Sequence, residues 1–298
     1  TALMISRLVA EPIDHLRTAA QAVAEGRLDV QVPLRRADEF GLLIEEFNRM
    51  IRELRDKERL RQMFGCHVGR RTAVQILARD PGLSGVEQVI TVMFVDIRSF
   101  TQRSASSGAA EIVSVLNEFL QVMVEGVEEY HRGMINKFLG DGFIALFGVE
   151  DKTSAHADDA LQAAVGMLKA LETLNVSFQE RGREKLEIGI GLHTGPAIVG
   201  SIGSPARLEF TAIGSTVNLA SRVEGLTKNL SVPLLITEQT RDHLTGEFEI
   251  RELPPQKVKG LEEPVRVFCL EAETTQLCSR SGNSVELPDT VQASTTIP

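Results

Sequence analysis

Residues 134 to 147 read Met-Ile-Asn-Lys-Phe-Leu-Gly-Asp-Gly-Phe-Ile-Ala-Leu-Phe, two apolar runs on either side of Gly140-Asp141-Gly142. That pattern predicts a tight β-hairpin. The hairpin constrains the rest of the chain because a helical pattern lies on each side of it. Residues 109–130 carry Ile112, Leu116, Phe119 and Val122 or Met123 at helical spacing, and residues 155–178 predict a second helix. A strand rich in β-branched residues, 89–97, precedes the first helix, and a strand at 186–193 follows the second. The order β-α-β-β-α-β predicts an α+β, ferredoxin-like sheet. Strands at 197–202, 208–213, 234–237 and 265–270, with a helix at 215–228, extend it.

Taken alone, Asp141 is the polar residue of a glycine turn. The predicted topology adds a partner. The first strand ends Phe94-Val95-Asp96-Ile97, and in a β-α-β-β-α-β sheet that end lies beside the hairpin tip. Two carboxylates brought together repel unless a cation sits between them. Oxygen donors with no Cys or His nearby in sequence suit Mg²⁺ or Mn²⁺. After Asp96 comes Arg98-Ser99-Phe100-Thr101 at a helix approach, where backbone N–H groups can hold phosphate oxygens. No G-x-x-x-x-G-K-[ST] run is present, so a P-loop is excluded. Metal and polyphosphate chemistry on a ferredoxin-like sheet is the expectation.

The first 55 residues have a different texture. Ile13, Leu16, Ala20 and Val23 form one helical stripe, closed by Gly26 at a C-cap position. After a connector containing Pro33, Asp38 caps a second stripe of Leu43, Phe47, Met50 and Leu54. Two short stripes joined by an extended connector predict a helical pair completed by a second copy of itself; the plainer alternative is a helical hairpin packed on its own domain. Residues 56–86 predict a connecting helix and linker, charged at Asp56-Lys57-Glu58-Arg59, either separate from the second stripe or continuous with it, with helical structure ended by Asp80-Pro81-Gly82. The tail, 272–298, is Ser/Thr-rich without aromatics and reads as disordered.

A net charge of −9 and a pI near 5.3 argue against a broad nucleic-acid-binding surface. Cys66, Cys269 and Cys278 make no C-x-x-C pair and are odd in number, which fits a reducing compartment. The chain starts in an apolar phrase, Leu3-Met4-Ile5, followed by Arg7; this predicts a fragment whose missing N-terminal segment attaches to a membrane from the cytoplasmic side.

Residues 1 to about 55 resemble a HAMP signalling module, through Pro12, Gly26, Asp38-Glu39-Phe40-Gly41 and Phe47-Asn48-x-Met50. Residues 87–271 resemble a class III nucleotidyl cyclase catalytic domain. The resemblance rests on Phe94 to Thr101, on Lys137 to Gly142, on Gly189 to Gly195, on Phe210 to Arg222 and on Val258-Lys259-Gly260.

That resemblance implies conversion of ATP to 3′,5′-cyclic AMP and pyrophosphate in a homodimer. Asp96, Asp141 and the carbonyl of Ile97 would hold two divalent ions, Mg²⁺ or Mn²⁺. Phe100 and Thr101 amides would seat the triphosphate and Lys259 its terminal phosphates. Asn218 would orient the ribose, and Arg222 would stabilise the charge developing on the phosphorus oxygens. Lys137 and Thr211 would read the base: an ammonium donates to adenine N1, and a hydroxyl accepts from the exocyclic amine. The aspartates and the Lys137–Thr211–Asn218–Arg222 set would come from opposite subunits, with the HAMP helices gating their registry. Guanylyl or dual-specificity cyclases, and a non-catalytic nucleotide-binding signalling domain, are the alternatives. His193 reads as structural.

Overall fold

A computed structural model describes residues 9–33, 36–78, 85–106, 108–129, 131–150, 155–204 and 207–270. The apolar start with Arg7, the Asp80-Pro81-Gly82 stop, Cys278 and the 272–298 tail lie outside these residues. The chain divides into two compact units, Thr1–Ala73 and Val74–Pro298.

In the first unit, α1 (Glu11–Ala24) opens with Pro12 in its first turn, and Gly26 follows its end at φ 84°. Helix α2 (Glu39–Val68) is capped by Asp38, whose carboxylate accepts from the Gly41 N–H at 3.1 Å. Gly41 has no room for a side chain, because a Cβ there would lie 2.1 Å from the Arg36 carbonyl oxygen. Asn48 pins the connector: its amide accepts from Val32 N–H at 2.9 Å and donates to Val32 C=O at 3.0 Å. Ala19, Val32 and Ile44 form the small core, with Leu16 and Phe47 against it. Ile13, Leu43 and Met50 of the predicted stripes are instead about half exposed in the single chain. Helix α2 runs without a break through the charged stretch at 56–59, where a separate connecting helix was one reading. Gly69, at φ 89°, separates α2 from α3 (Arg70–Ala78).

The second unit is built on β1 (Gly85–Ile97), α4 (Phe100–Ser106), α5 (Ala109–Glu128), β2 (Met134–Leu139), β3 (Gly142–Phe147), α6 (His156–Glu180) and β4 (Ile188–Ser204). Strands β2-β3-β1-β4 stand in that order, all neighbours antiparallel, as a ferredoxin-like unit requires. Then come β5 (Arg207–Ile213), α7 (Ser215–Leu230), β6 (Leu234–Thr237), α8 (Glu238–Asp242), β7 (Ile250–Gln256) and β8 (Val265–Leu270). They carry the sheet on as β6-β8-β7 beyond β4, and β5 pairs with the outer part of β4.

Alternation on β1 divides the core. Met93, Val95 and Ile97 join Phe119, Met123, Leu161 and Met167 of α5 and α6. Ile90 and Val92 face the other way, toward Phe210, Ala212 and Ala220. Two expected strands, 186–193 and 197–202, are one strand, β4. Thr194-Gly195-Pro196 does not break it: Gly195 and Pro196 stay paired with Ile90 and Val89 of β1. Strand β7 and the short helices α4 and α8 were not expected. The Leu253-Pro254-Pro255 run hides β7 from pattern reading, and the register of β7 against β8 shifts there.

Candidate active site

The hairpin turn is two residues long. Leu139 pairs with Gly142, leaving Gly140, at φ 73°, and Asp141 as the loop. This is the arrangement of a II′ turn, with Gly at the first central position. Strand β3 pairs with β1 so that Val95 faces Phe143, which brings the turn to the end of β1. A Cβ on Gly142 would lie 2.2 Å from the Val95 carbonyl oxygen and 2.9 Å from Asp96 Oδ1. The glycine after Asp141 therefore permits the approach of turn and carboxylate.

Asp96 keeps one side open to solvent. Desolvation of its carboxyl, followed by the like charge of Asp141, raises its pKa, and Arg98 acts in the opposite direction. Arg98 donates to the Val232 carbonyl at 2.9 Å. Ser99 then turns the chain through φ 56°, a left-handed conformation unusual for serine, and α4 begins at Phe100. Phe100 packs its side chain against the core and Thr101 is exposed.

A third carboxylate was not anticipated. Glu224 on α7 is pushed up to about 7 by burial, by Asp96 and by Asp141, with Arg98 opposing. It reaches this place because β4 has no side chains there. Cβ atoms on Gly189 and Gly191 would lie 2.6 Å from Glu224 Oε1 and 2.3 Å from its backbone nitrogen. Two glycines alternating on one face of β4, opposite a helix carrying a glutamate, were the signal in the sequence.

Arg222 stands two positions before Glu224, so it projects about 200° around the helix from it. It is exposed, and its guanidinium lies over Gly260, 3.3 Å from where a Cβ would be. Gly260, at φ 82°, belongs to a turn closed by Leu261 N–H to Val258 C=O, which sets Arg222 against the turn that carries Lys259. Asn218, one turn before Arg222, is exposed as well.

Lys137 and Thr211, the pair expected to read the base, form a third grouping. Lys137 Nζ lies 2.5 Å from Glu209 Oε1. Thr211 donates its hydroxyl hydrogen to Asn136 Oδ1 at 3.0 Å, and Asn136 donates its amide hydrogen to the Phe210 carbonyl at 2.7 Å. Neither Asn136 nor Glu209 was singled out from the sequence; both are ordinary strand neighbours of the residues that were. His193 is buried and hydrogen-bonded to Thr237 at 2.8 Å, and burial lowers its pKa to about 4.

Oxygen donors make the aspartate pair a fit for a hard divalent ion, and their mutual repulsion is relieved by one. Among the described residues no group of three or more His, Cys, Asp and Glu forms a metal cage. An ion here needs further ligands from backbone carbonyls, water or a phosphorylated substrate, which is how Mg²⁺ is commonly held.

The family model for the adenylate and guanylate cyclase catalytic domain matches residues 84–272, and that for the HAMP domain matches residues 4–56. The chain belongs to the adenylate and guanylate cyclase catalytic-domain family, and its cyclase domain is preceded by a HAMP domain. An uncharacterized protein of Mycobacterium tuberculosis is 37% identical over 237 residues, covering 80% of this chain and 40% of the relative. The chain thus spans less than half the length of that relative. The guanylyl cyclase Cya2 is 31% identical with a TM-score of 0.56, covering 62% of this chain and 93% of Cya2. The adenylyl cyclase CyaB from P. aeruginosa is 30% identical with a TM-score of 0.56, covering 63% of this chain and 96% of CyaB. The cyclase domain is therefore similar to enzymes of both base specificities.

Proposed function

We propose that this chain is an adenylyl cyclase that converts ATP to 3′,5′-cyclic AMP and pyrophosphate, at sites built between two copies of itself. One observation carries the shared site: Arg222 and the aspartates lie on different sides of α7, with Glu224 on the aspartate side and Arg222 over Gly260. Arg222 is turned away from the side of α7 that carries Glu224, which supports a reading in which a twin supplies the arginine.

In this reading the ribose 3′-hydroxyl oxygen attacks the α-phosphorus, its proton passes to solvent or to the departing pyrophosphate, and the bond from that phosphorus to the bridging oxygen breaks to release pyrophosphate. Asp96, Asp141 and the Ile97 carbonyl hold two divalent ions, Mg²⁺ or Mn²⁺. Bound there, such ions neutralise the phosphates and lower the pKa of the attacking hydroxyl. The amides of Phe100 and Thr101 seat the triphosphate. From the second subunit, Arg222 stabilises charge on the phosphorus oxygens, Asn218 orients the ribose, and Lys259 holds the terminal phosphates. Lys137 donates to adenine N1, and Thr211 accepts from the exocyclic amine.

Exposed apolar residues support a partner. Phe138 and Leu139 lie beside Lys137 and are about half exposed, as are Ile13, Leu43 and Met50 in the HAMP unit. The HAMP helices would gate turnover by shifting the registry of the two catalytic halves. We place the longer protein at the cytoplasmic face of a membrane. Among the described residues no helix is long and apolar enough to cross one.

A guanylyl cyclase is the second reading, favoured by the likeness to Cya2. Purified protein with Mn²⁺ and either ATP or GTP, assayed for the cyclic product, decides between them. Cyclic AMP as the main product, lost in Asp141→Ala, is the expected result; a preference for GTP would overturn the ATP reading.

A further inference from the structure

Strand β2 has an irregular register against β3. Ile135 pairs with Ala145 and Lys137 with Ile144, so Asn136 is the extra residue of a β-bulge. In a regular strand, consecutive side chains point to opposite faces. Here both neighbours reach β5: Asn136 meets Phe210 and Thr211, and Lys137 meets Glu209. The bulge thus aims two adjacent polar residues at the strand that carries the second base-reading position.

The hydrogen bonds of Asn136 have only one consistent direction. The Phe210 carbonyl can only accept, so the Asn136 group facing it at 2.7 Å is the –NH₂. That orientation turns Oδ1 toward Thr211, where it can only accept. The Thr211 hydroxyl hydrogen is therefore committed to Asn136, at 3.0 Å. What Thr211 still presents is a lone pair. An oxygen in that state welcomes an exocyclic amine, as in adenine, and meets the 6-oxo group of guanine acceptor against acceptor.

We propose that Asn136 is a specificity-determining positioning residue: it fixes the Thr211 hydroxyl as an acceptor and so selects a 6-aminopurine nucleotide over a 6-oxopurine one. The proposal rests on the reading that Lys137 and Thr211 contact the base. Without Asn136 the hydroxyl rotates freely and can donate to a 6-oxo group, so a threonine alone would discriminate poorly. Glu209 complements the device by holding Lys137, an obligate donor, on the same side.

The test compares kcat/KM for ATP and GTP, with Mn²⁺, in the 298-residue chain. Asn136→Leu keeps volume at the bulge and removes both hydrogen bonds. The ATP-to-GTP ratio should fall about ten-fold, the scale of one hydrogen-bond mismatch, through both poorer ATP and better GTP use. Asn136→Asp retains the acceptor for Thr211 and should keep more of the ratio than Asn136→Leu. In a Thr211→Val background Asn136→Leu should leave the ratio unchanged, since it acts through the hydroxyl that is gone. If Asn136→Leu does not fold, Asn136→Ser, too short to span both partners, is read the same way. A wild type that favours ATP but whose Asn136→Leu or Asn136→Ser variant keeps the ratio, or loses both substrates equally, overturns the proposal alone. A wild type that favours GTP overturns the adenine reading together with it.

Discussion

Arg222 and Glu224, two residues apart on α7, serve opposite sides of that helix. Glu224 lies against the glycines of β4 and within the field of Asp96 and Asp141, while Arg222 is turned out over Gly260. A helix advances about 100° per residue, so this division is built into the spacing. The glutamate adds to the negative charge at its own chain's aspartates, and in the proposed shared site the arginine serves those of another chain. Asp96, Asp141 and Glu224 act on one another through their like charges, opposed by Arg98, so added positive charge is favoured there.

Glu224 makes metal-free stability depend on pH. Its folded-state pKa is raised to about 7 from an ordinary 4.5. Below pH 4.5 the group is protonated in both states and costs nothing. As pH rises toward 7 the unfolded chain releases a proton that the folded chain retains, so stability falls, and the cost is complete above about 7. Glu224→Gln should therefore raise Tm in the presence of chelator at pH 8 and change it little at pH 5. Thermal melts across that range check this; an equal shift at both pH values would assign the effect to packing instead.

Removing one member of the aspartate pair should separate stability from activity. Asp141→Asn takes away a like charge that raises the Asp96 pKa. Without metal at neutral pH the variant should melt at or above the wild-type temperature, yet form no cyclic product. Addition of Mn²⁺ should raise Tm in the wild type and much less in the variant. An equal gain in both would place the ion elsewhere.

Close approach at glycine predicts a steric cost. A Cβ at Gly142 meets the Val95 carbonyl oxygen at 2.2 Å, and one at Gly191 meets the Glu224 nitrogen at 2.3 Å. Both obstacles are backbone, so neither yields cheaply. Gly142→Ala and Gly191→Ala should each cost about 2–3 kcal/mol, the upper part of the range for overpacked sites. Gly65→Ala on α2, where nothing lies within 4 Å, should cost nothing. Denaturant unfolding measures all three.

Much of this was readable from residue patterns, and the misses have physical causes. The hairpin, its two flanking helices and the antiparallel order follow from turn chemistry and periodicity, so Asp96 and Asp141 could be placed side by side before any coordinates. Strand β4 was read as two because a Gly-Pro step usually ends a strand, but pairing to β1 continues through Gly195 and Pro196. Glu224 was passed over because its importance comes from desolvation against Gly189 and Gly191, a tertiary fact. Asn136 was passed over because nothing local announces a bulge; its role depends on a strand more than seventy residues later.

The HAMP unit carries its own expectation. Ile13, Leu43 and Met50 are exposed although they lie on apolar stripes. Leu43→Asp should weaken self-association, seen as a lower mass in sedimentation, and lower specific activity at low protein concentration more than at high. Covalent cross-linking of the two α1 helices should change turnover; unchanged turnover would count against gating through this module.

The shared site is tested most directly by mixing two inactive variants. In the proposed site Asp141→Ala would lack a metal carboxylate and Arg222→Ala the transition-state cation, so neither homodimer should have a working site. A mixed dimer places both defects in one of its two sites and leaves the other whole. Combined and allowed to exchange subunits, the two proteins should regain roughly a quarter of wild-type cyclic AMP formation, given random pairing and one intact site per mixed dimer. Mixtures that form mixed dimers yet stay as inactive as their components would contradict a site assembled from two chains.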